Sequence, residues 1–288
     1  MIKKKIVVIF HERDRRHTQN YSITSLAEEW RERGIETSFI FGTKRVIPAD
    51  LAILHVNLSV VPDEYIEFAQ NYPVVLNGKV KDIRKSAFSE NIVRPDDGYE
   101  GKIIVKSNLN YAGGPERRLQ NSVIPGLFRR LLRQEAGGVI PARLDFNSAE
   151  DYFILESARQ VPGDWFERED IVIEKFLPEC DNGNYLTRSV YFLGDSNQCV
   201  LWKSPDPIVK RSTATGMELV DAHAEIVAMR KKLHFDYGKF DYTVNDNVPV
   251  LIDINKTIGA SPDLKSFESE LYPVMRHKWA SGIYSFFS

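Results

Sequence analysis

The stretch GKFDYTVNDNVPVLIDINKTIG, Gly238 to Gly259, decides how the rest of the chain is read. Two short apolar-polar runs flank Asn245-Asp246-Asn247, a turn composition, so a β-hairpin is expected. Asp253 and Asn255 stand two apart in a strand and leave one face, while Val250, Ile252 and Ile254 leave the other, the core side. With three residues in the turn, Val244 faces Val248 and Asp241 faces Leu251. Asp241 then joins Asp253 and Asn255, and three oxygen ligands converge. Diagonal neighbours across a hairpin lie about 7–8 Å apart, a gap that a hydrated cation bridges and a direct hydrogen bond does not. A two- or four-residue turn would break this arrangement. A half-buried hairpin with a solvated polar face fits the same pattern.

The chain has 288 residues, 43% hydrophobic and 27% charged, which suits a globular protein of two or three modest domains. Its formal charge is −2 and its basic residues are dispersed, so nucleic acid is not expected as a primary partner. Cys180 and Cys199 make no disulfide framework and lack metal-ligand spacing, which points to reduced thiols and a cytoplasmic setting. Lys3-Lys4-Lys5 followed by Ile6 to Phe10 is too short for a signal peptide and reads as a first strand. No apolar run approaches the roughly 20 residues that span a bilayer, so no membrane is expected.

From the N-terminus, Ile6 to Phe10 reads as a strand buried on both faces. A helix over Thr18 to Arg33 follows, with Gly34 at its C-terminal cap. Strands at Thr37–Phe41, Leu51–Val56 and Val74–Leu76, with a helix over Asp63–Asn71, complete a small α/β domain over residues 1–80. The loop after its first strand, His11 to His17, has no G-x-G-x-x-G, which excludes dinucleotide binding there. His11, Arg13, His55 and Asn57 lie at the carboxyl ends of strands, where open α/β sheets bind ligands, although solvated loop residues would sit there too. Asn77-Gly78 and the polar stretch to Gly101 read as a linker, residues 81–101.

Three further motifs come next along the chain. Lys102-Ile103-Ile104-Val105-Lys106 is a strand ending in lysine, and Gly113-Gly114 comes soon after; the order is not that of a P-loop. Ile171 to Glu179, IVIEKFLPE, is a strand closed by proline. Tyr185–Leu193 and Leu201–Lys203 form a hairpin around Gly194-Asp195. Residues 115–150 carry Arg117, Arg118, Arg129, Arg130 and Arg133 and read as a solvated insertion, or as a lid bringing arginine to an acidic ligand. A helix is expected over Glu218–Leu233, with His223 on its face, and a packing stripe of Leu271, Met275, Trp279 and Ile283 toward the end.

IIVK with Gly-Gly, VIEKFLPE, and FDY leading to DINKTIG resemble, in order and spacing, the ATP-grasp ligases of the glutathione synthetase and ribosomal-protein glutamate ligase type. The resemblance spans residues 102–259. It implies an α/β and α+β protein with the ATP-grasp fold: a glycine-poor, Rossmann-like pre-ATP-grasp domain over 1–80, then subdomains over 102–175 and 176–288 that clasp Mg-ATP. Lys106 would meet the α- and β-phosphates, and Gly113 and Gly114 would turn backbone amides toward phosphate oxygens. Glu174 would touch the adenine amino group, Lys175 and Leu177 would bind the ring through their main chain, and Glu179 or Asp181 would hold the ribose. Asp241, Asp253 and Asn255 would bind two Mg2+ ions, or Mn2+, with Asp253 standing where many members have Glu. Arg188, Lys203 and Arg211 would supply catalytic cations near the γ-phosphate. The activity implied is ligation of a small-molecule or peptide carboxylate to an amine or other nucleophile through an acyl phosphate. An ATP-binding protein of the same fold without ligase activity is the alternative, and the oligomeric state is left open.

Overall fold

A computed structural model describes residues 3–119, 146, 151–260 and 271–287. The expectations for Arg129, Arg130 and Arg133 fall outside those residues. The chain forms two compact units, Met1–Ile83 with Leu177–Ser288, and Arg84–Phe176.

The first unit holds two sheets. The parallel one is built from β1 (Lys5–Phe10), β2 (Glu36–Phe41), β3 (Leu51–Leu54) and β4 (Val75–Leu76), in the order β2-β1-β3-β4. Central β1 is buried from Ile6 to Phe10, as its unbroken apolar run requires. The helix expected over Thr18–Arg33 divides into a 3₁₀ segment, Arg15–Asn20, and α1, Ser22–Glu32. Gly34 takes the left-handed φ of +83° that ends α1. α2 (Asp63–Ala69) carries Tyr65 and Phe68 into the core.

The second sheet of this unit is built from β8 (Glu179–Asp181), β9 (Asn184–Leu193), β10 (Ser196–Ser204), β11 (Gly216–Val220), β12 (Tyr237–Asn245) and β13 (Val248–Asn255). It runs β11-β10-β9-β12-β13, and β8 also pairs with β9. The helix expected over Glu218–Leu233 is corrected. Glu218 to Val220 lie in β11, paired with β10, and a shorter helix covers Ala224–Lys232. His223 caps that helix, its Nδ1 accepting the Glu225 N–H at 3.3 Å. The last helix described, Leu271–Ser281, buries Met275 and Trp279, and the Trp30 indole of α1 donates to Ala280 O at 2.9 Å.

The Arg84–Phe176 unit is built on a three-stranded sheet of β5 (Ile103–Ser107), β6 (Phe153–Leu155) and β7 (Ile171–Lys175), in the order β6-β5-β7. Ile103, Val105, Ile171 and Ile173 pack on one face with Val93, Leu155 and Trp165. Residues 91–93 run beside β7, where Val93 N–H donates to Ile173 O and Lys175 N–H to Asn91 O, each at 2.8 Å.

His55 is fully buried among the rings of Phe10, Tyr21 and Tyr237. Burial, with Lys256 adding to it, pulls its pKa down to about 3. The unfolded chain therefore takes up a proton near pH 6.5 that the folded chain refuses until about pH 3, so stability falls as pH falls through that window. Between pH 7 and pH 5 the loss from this one group is about 2 kcal/mol. Urea unfolding of the parent and of His55→Leu at both pH values checks it. The parent should lose about 2 kcal/mol more than the variant, and equal losses would contradict a buried neutral His55.

Candidate active site

The β12–β13 hairpin differs from expectation in a way that decides the site. Its turn holds two residues, Asp246 (φ 50°) and Asn247 (φ 64°), and Asn245 faces Val248. Two consecutive left-handed residues are the signature of the type I′ turn that suits strand twist. Continued without interruption, that register would set Ile252 opposite Asp241 and carry Asp253 and Asn255 to the other face, opposite Phe240 and Gly238. A β-bulge intervenes between Asp241 and Tyr242, with Ile252 as the extra residue. Leu251 then faces Tyr242, and Asp241 faces Asp253 directly. Bulges re-aim side chains in this way. The expected opposition of Asp241 to Leu251 is thus wrong, while the expected sharing of a face by Asp241, Asp253 and Asn255 holds. The core side is also revised: Leu251 joins Ile254 and Tyr242 there, and Val250 lies with Thr243 on the Asp241 face.

The register adds a residue that the sequence reading missed. Lys239 faces Asn255 across the hairpin and lies two residues before Asp241, so its side chain belongs to the same face. Its ammonium donates to Asp241 Oδ2 at 2.6 Å. Burial by itself would lower its pKa, but Asp241, Tyr191 and Asp253 outweigh burial and hold the pKa above the ordinary lysine value. Parity along the strand was the signal for it. On the neighbouring strand Ser189 faces Asp241, and its hydroxyl donates to Asp241 Oδ1 at 2.6 Å while accepting the Trp202 indole N–H at 3.0 Å. Asn255 Oδ1 accepts the Thr257 N–H at 2.8 Å.

The three candidate catalytic cations are divided by the same register. Arg188 faces Tyr242 and Leu201, and Lys203 faces Leu186, which puts both on the side of the sheet opposite Asp241. Arg188 is paired with Glu179, whose carboxylate also accepts the Val244 N–H at 2.8 Å. Lys203 pairs with Glu218 of β11 at 3.3 Å. Arg211 lies close enough to Tyr191 to oppose the upward shift that burial gives that phenol. Tyr191 faces Lys239, so Arg211 is the candidate whose charge is felt on the acidic side of the sheet. Asp181 is the exposed last residue of β8, facing Asn184 across the two-residue turn, and its Oδ1 accepts the Asn182 side-chain amide at 3.0 Å. The Leu177 carbonyl accepts the Thr243 hydroxyl at 3.0 Å.

In the Arg84–Phe176 unit, Lys106 and Glu174 project from one face of adjacent strands and form a buried ion pair. The Lys175 N–H is taken up by Asn91 O, so one of the two main-chain groups that the resemblance assigns to adenine is already engaged. After β5, Tyr111, Ala112 and Gly113 adopt left-handed φ of 51°, 50° and 72° in succession. Two non-glycine residues in that region store strain. Arg117 holds the turn by donating to Ala112 O at 2.6 Å, and Gly114 opens a short helix, Gly114–Leu119. His55 and Asn57 are both buried, which removes them from the ligand-facing residues expected at the strand ends.

Among the described residues, no cluster of three His, Cys, Asp or Glu side chains could hold a metal ion by itself. The acidic face offers two carboxylates and one amide oxygen. That donor set fits Mg2+, which takes hard oxygen ligands from one or two carboxylates and completes its shell with water and substrate phosphates. No described helix is long and apolar enough to cross a membrane.

No protein-family model and no curated protein sequence matches the chain. Among solved structures, a D-alanine–D-alanine ligase from Bacillus anthracis superposes with a TM-score of 0.51 at 12% identity, over 99% of this chain and 98% of that one. The same enzyme complexed with ATP gives 0.50 at 12% identity, over 98% and 96%. A parallel N-terminal sheet followed by antiparallel sheets, matched over the whole length, gives this chain the ATP-grasp fold.

Proposed function

We propose that the protein is an ATP- and Mg2+-dependent ligase that joins a small-molecule or peptide carboxylate to an amine or another nucleophile through an acyl phosphate. The observation that carries this reading is the bulge at Ile252, which spends one residue of β13 to set Asp241 opposite Asp253, beside Asn255 and Lys239. A hairpin needed only for packing has no use for two facing carboxylates, which repel. The likeness to D-alanine–D-alanine ligase, one structure of which holds ATP, supports the fold on which the reading rests.

In this reading Asp241, Asp253 and Asn255 hold the metal. Magnesium held there would supply charge neutralisation at the phosphate oxygens. Ser189 orients Asp241, and the Lys239 ammonium beside Asp241 would serve as a cation for phosphate oxygen. Arg211 stands by as a second cation for the carboxylate substrate. Lys106 meets the α- and β-phosphates, the Gly113-Gly114 turn offers its amides, and Glu174 orients Lys106 and reaches the adenine amino group. Leu177 contributes main chain to adenine, with Lys175 restricted to its carbonyl, and Glu179 or Asp181 takes the ribose. Arg188 acts on Glu179, and Lys203 on Glu218, as positioning residues. The substrate carboxylate attacks the γ-phosphorus and ADP leaves; the nucleophile then attacks the acyl carbon and inorganic phosphate leaves. No nucleophilic side chain is required, because positioning and charge neutralisation carry phosphoryl transfer.

The rival reading, an ATP-binding protein of this fold without ligation, draws on Lys239. Its ammonium already offsets Asp241, as a resident cation would.

Mg-ATP at 100 times its Kd should stabilise the folded chain by about 2.7 kcal/mol, seen as a raised Tm. Asp253→Asn and Asn255→Ala should abolish that Mg2+-dependent shift while melting close to the parent without nucleotide. His223→Ala should keep the shift and lose about 1 kcal/mol of stability with its helix cap. No shift in folded parent protein would sink the nucleotide reading.

Ligation is separated from binding by ADP release. A ligase guards the γ-phosphate from water until a carboxylate arrives, so ADP should form slowly with ATP alone and faster when the right acid is added. Pooled carboxylates and amines, followed by mass spectrometry for a product formed with loss of water, give the readout. Tight Mg-ATP binding with neither acid-stimulated ADP nor a condensed product would favour the non-catalytic reading.

A further inference from the structure

Asn255 is the last residue of β13, and the segment after it, Lys256 to Ala260, is stitched to the start of α1. Ser22 N–H donates to Ile258 O at 2.9 Å, Ser22 Oγ to Gly259 O at 3.2 Å, and Ala260 N–H to Asn20 O at 2.7 Å. Inside this seam runs a chain of buried polar side chains. Thr257 Oγ1 donates to Asn57 Oδ1 at 2.8 Å, Asn57 Nδ2 to the Tyr21 hydroxyl at 2.8 Å, and that hydroxyl to Asp14 Oδ2 at 2.7 Å. Asp14, Tyr21, Asn57 and Thr257 are all buried.

The direction of this chain is set at its end. A carboxylate only accepts, so the Tyr21 proton goes to Asp14 and the Tyr21 oxygen accepts from Asn57. The Asn57 amide must then present its oxygen to Thr257. Thr257 has a single hydroxyl proton, and it is committed to Asn57 at 2.8 Å while Asn255 Oδ1 lies 3.4 Å away. Asn255 Oδ1 has two lone pairs, and the Thr257 N–H takes one at 2.8 Å. The other stays open.

We infer that Asp14, Tyr21 and Asn57 are positioning residues for the cation site. By drawing the Thr257 hydroxyl proton away, they keep one lone pair of Asn255 Oδ1 available to a metal ion. The inference rests on the reading of Asn255 as a metal ligand, and it gives the N-terminal α/β part a role in holding the metal. Removing the Asn57 carbonyl would turn the Thr257 hydroxyl onto Asn255 Oδ1 and make it a competitor of the cation. Removing the hydroxyl as well would abolish the competition.

The test measures Mn2+ binding to the full chain by electron paramagnetic resonance, in the presence of the β,γ-imido analogue of ATP. Asn57→Leu, close in volume, should weaken Mn2+ binding about tenfold, as loss of an outer-shell partner does. Thr257→Val should bind like the parent, and Asn57→Leu/Thr257→Val should recover parental affinity. A structural defect would not be repaired by a second buried substitution, so a double variant as weak as Asn57→Leu overturns the inference. Parental affinity in Asn57→Leu overturns it too. Should Asn57→Leu fail to fold, Tyr21→Phe makes the same cut, since the Asn57 amide loses the acceptor that orients it; the same weakening and the same rescue by Thr257→Val are expected. A parent that binds no Mn2+ overturns the nucleotide reading together with this inference, whereas a binding parent without the rescue overturns this inference alone.

Discussion

Two carboxylates set face to face across a pair of strands, partly withdrawn from water, repel each other by about 3 kcal/mol at 5 Å and an effective dielectric of 20. Asp241 and Asp253 are held in that relation by the bulge at Ile252, and the surroundings are arranged to tolerate it. Ser189 and Lys239 each donate to Asp241, and the pairing holds the lysine pKa above its ordinary value. Facing carboxylates call for compensating charge, and a face that holds one cation can exchange it for another. The functional account grows out of that requirement, because an incoming metal ion would both relieve the repulsion and release an ammonium toward phosphate.

The sheet then sorts charges by parity. Lys239, Asp241, Asp253 and Asn255 lie on one side, with Ser189 and Tyr191 of β9 beside them, and Arg188 and Lys203 lie on the other, each already paired with a glutamate. Cations that look equivalent along the chain are therefore unequal in space. Arg211, outside the strands, is the one of the three whose charge acts on Tyr191.

Much of this was legible in the residues. The apolar run Ile6–Phe10, the turn glycine Gly34 and the strand pair around Gly194-Asp195 come from periodicity and turn chemistry, and the structure carries each. The bulge was not legible. Leu251-Ile252 offers two apolar residues in a row, and which of them is the extra one depends on Tyr242 and Asp241 across the strand, not on local propensity. Asn245-Asp246-Asn247 likewise suits two or three turn residues, and strand twist chose the two-residue form. Leu219 fitted a helical spacing with Ala222 and Ile226, but pairing of Glu218–Val220 with Cys199–Leu201 of β10 prevailed, a tertiary contact overriding a weak local preference. The buried chain from Asp14 to Thr257 joins residues more than two hundred apart, and no pattern along the sequence connects them.

Crystals grown with Mn2+ and the β,γ-imido analogue of ATP test the central claim most directly, because manganese scatters anomalously and marks its own position. The account predicts an anomalous peak about 2.1 Å from oxygens of Asp241, Asp253 and Asn255, with the Lys239 ammonium moved from Asp241 to phosphate. Nucleotide bound with no manganese on that face, and Lys239 still paired with Asp241, would contradict it.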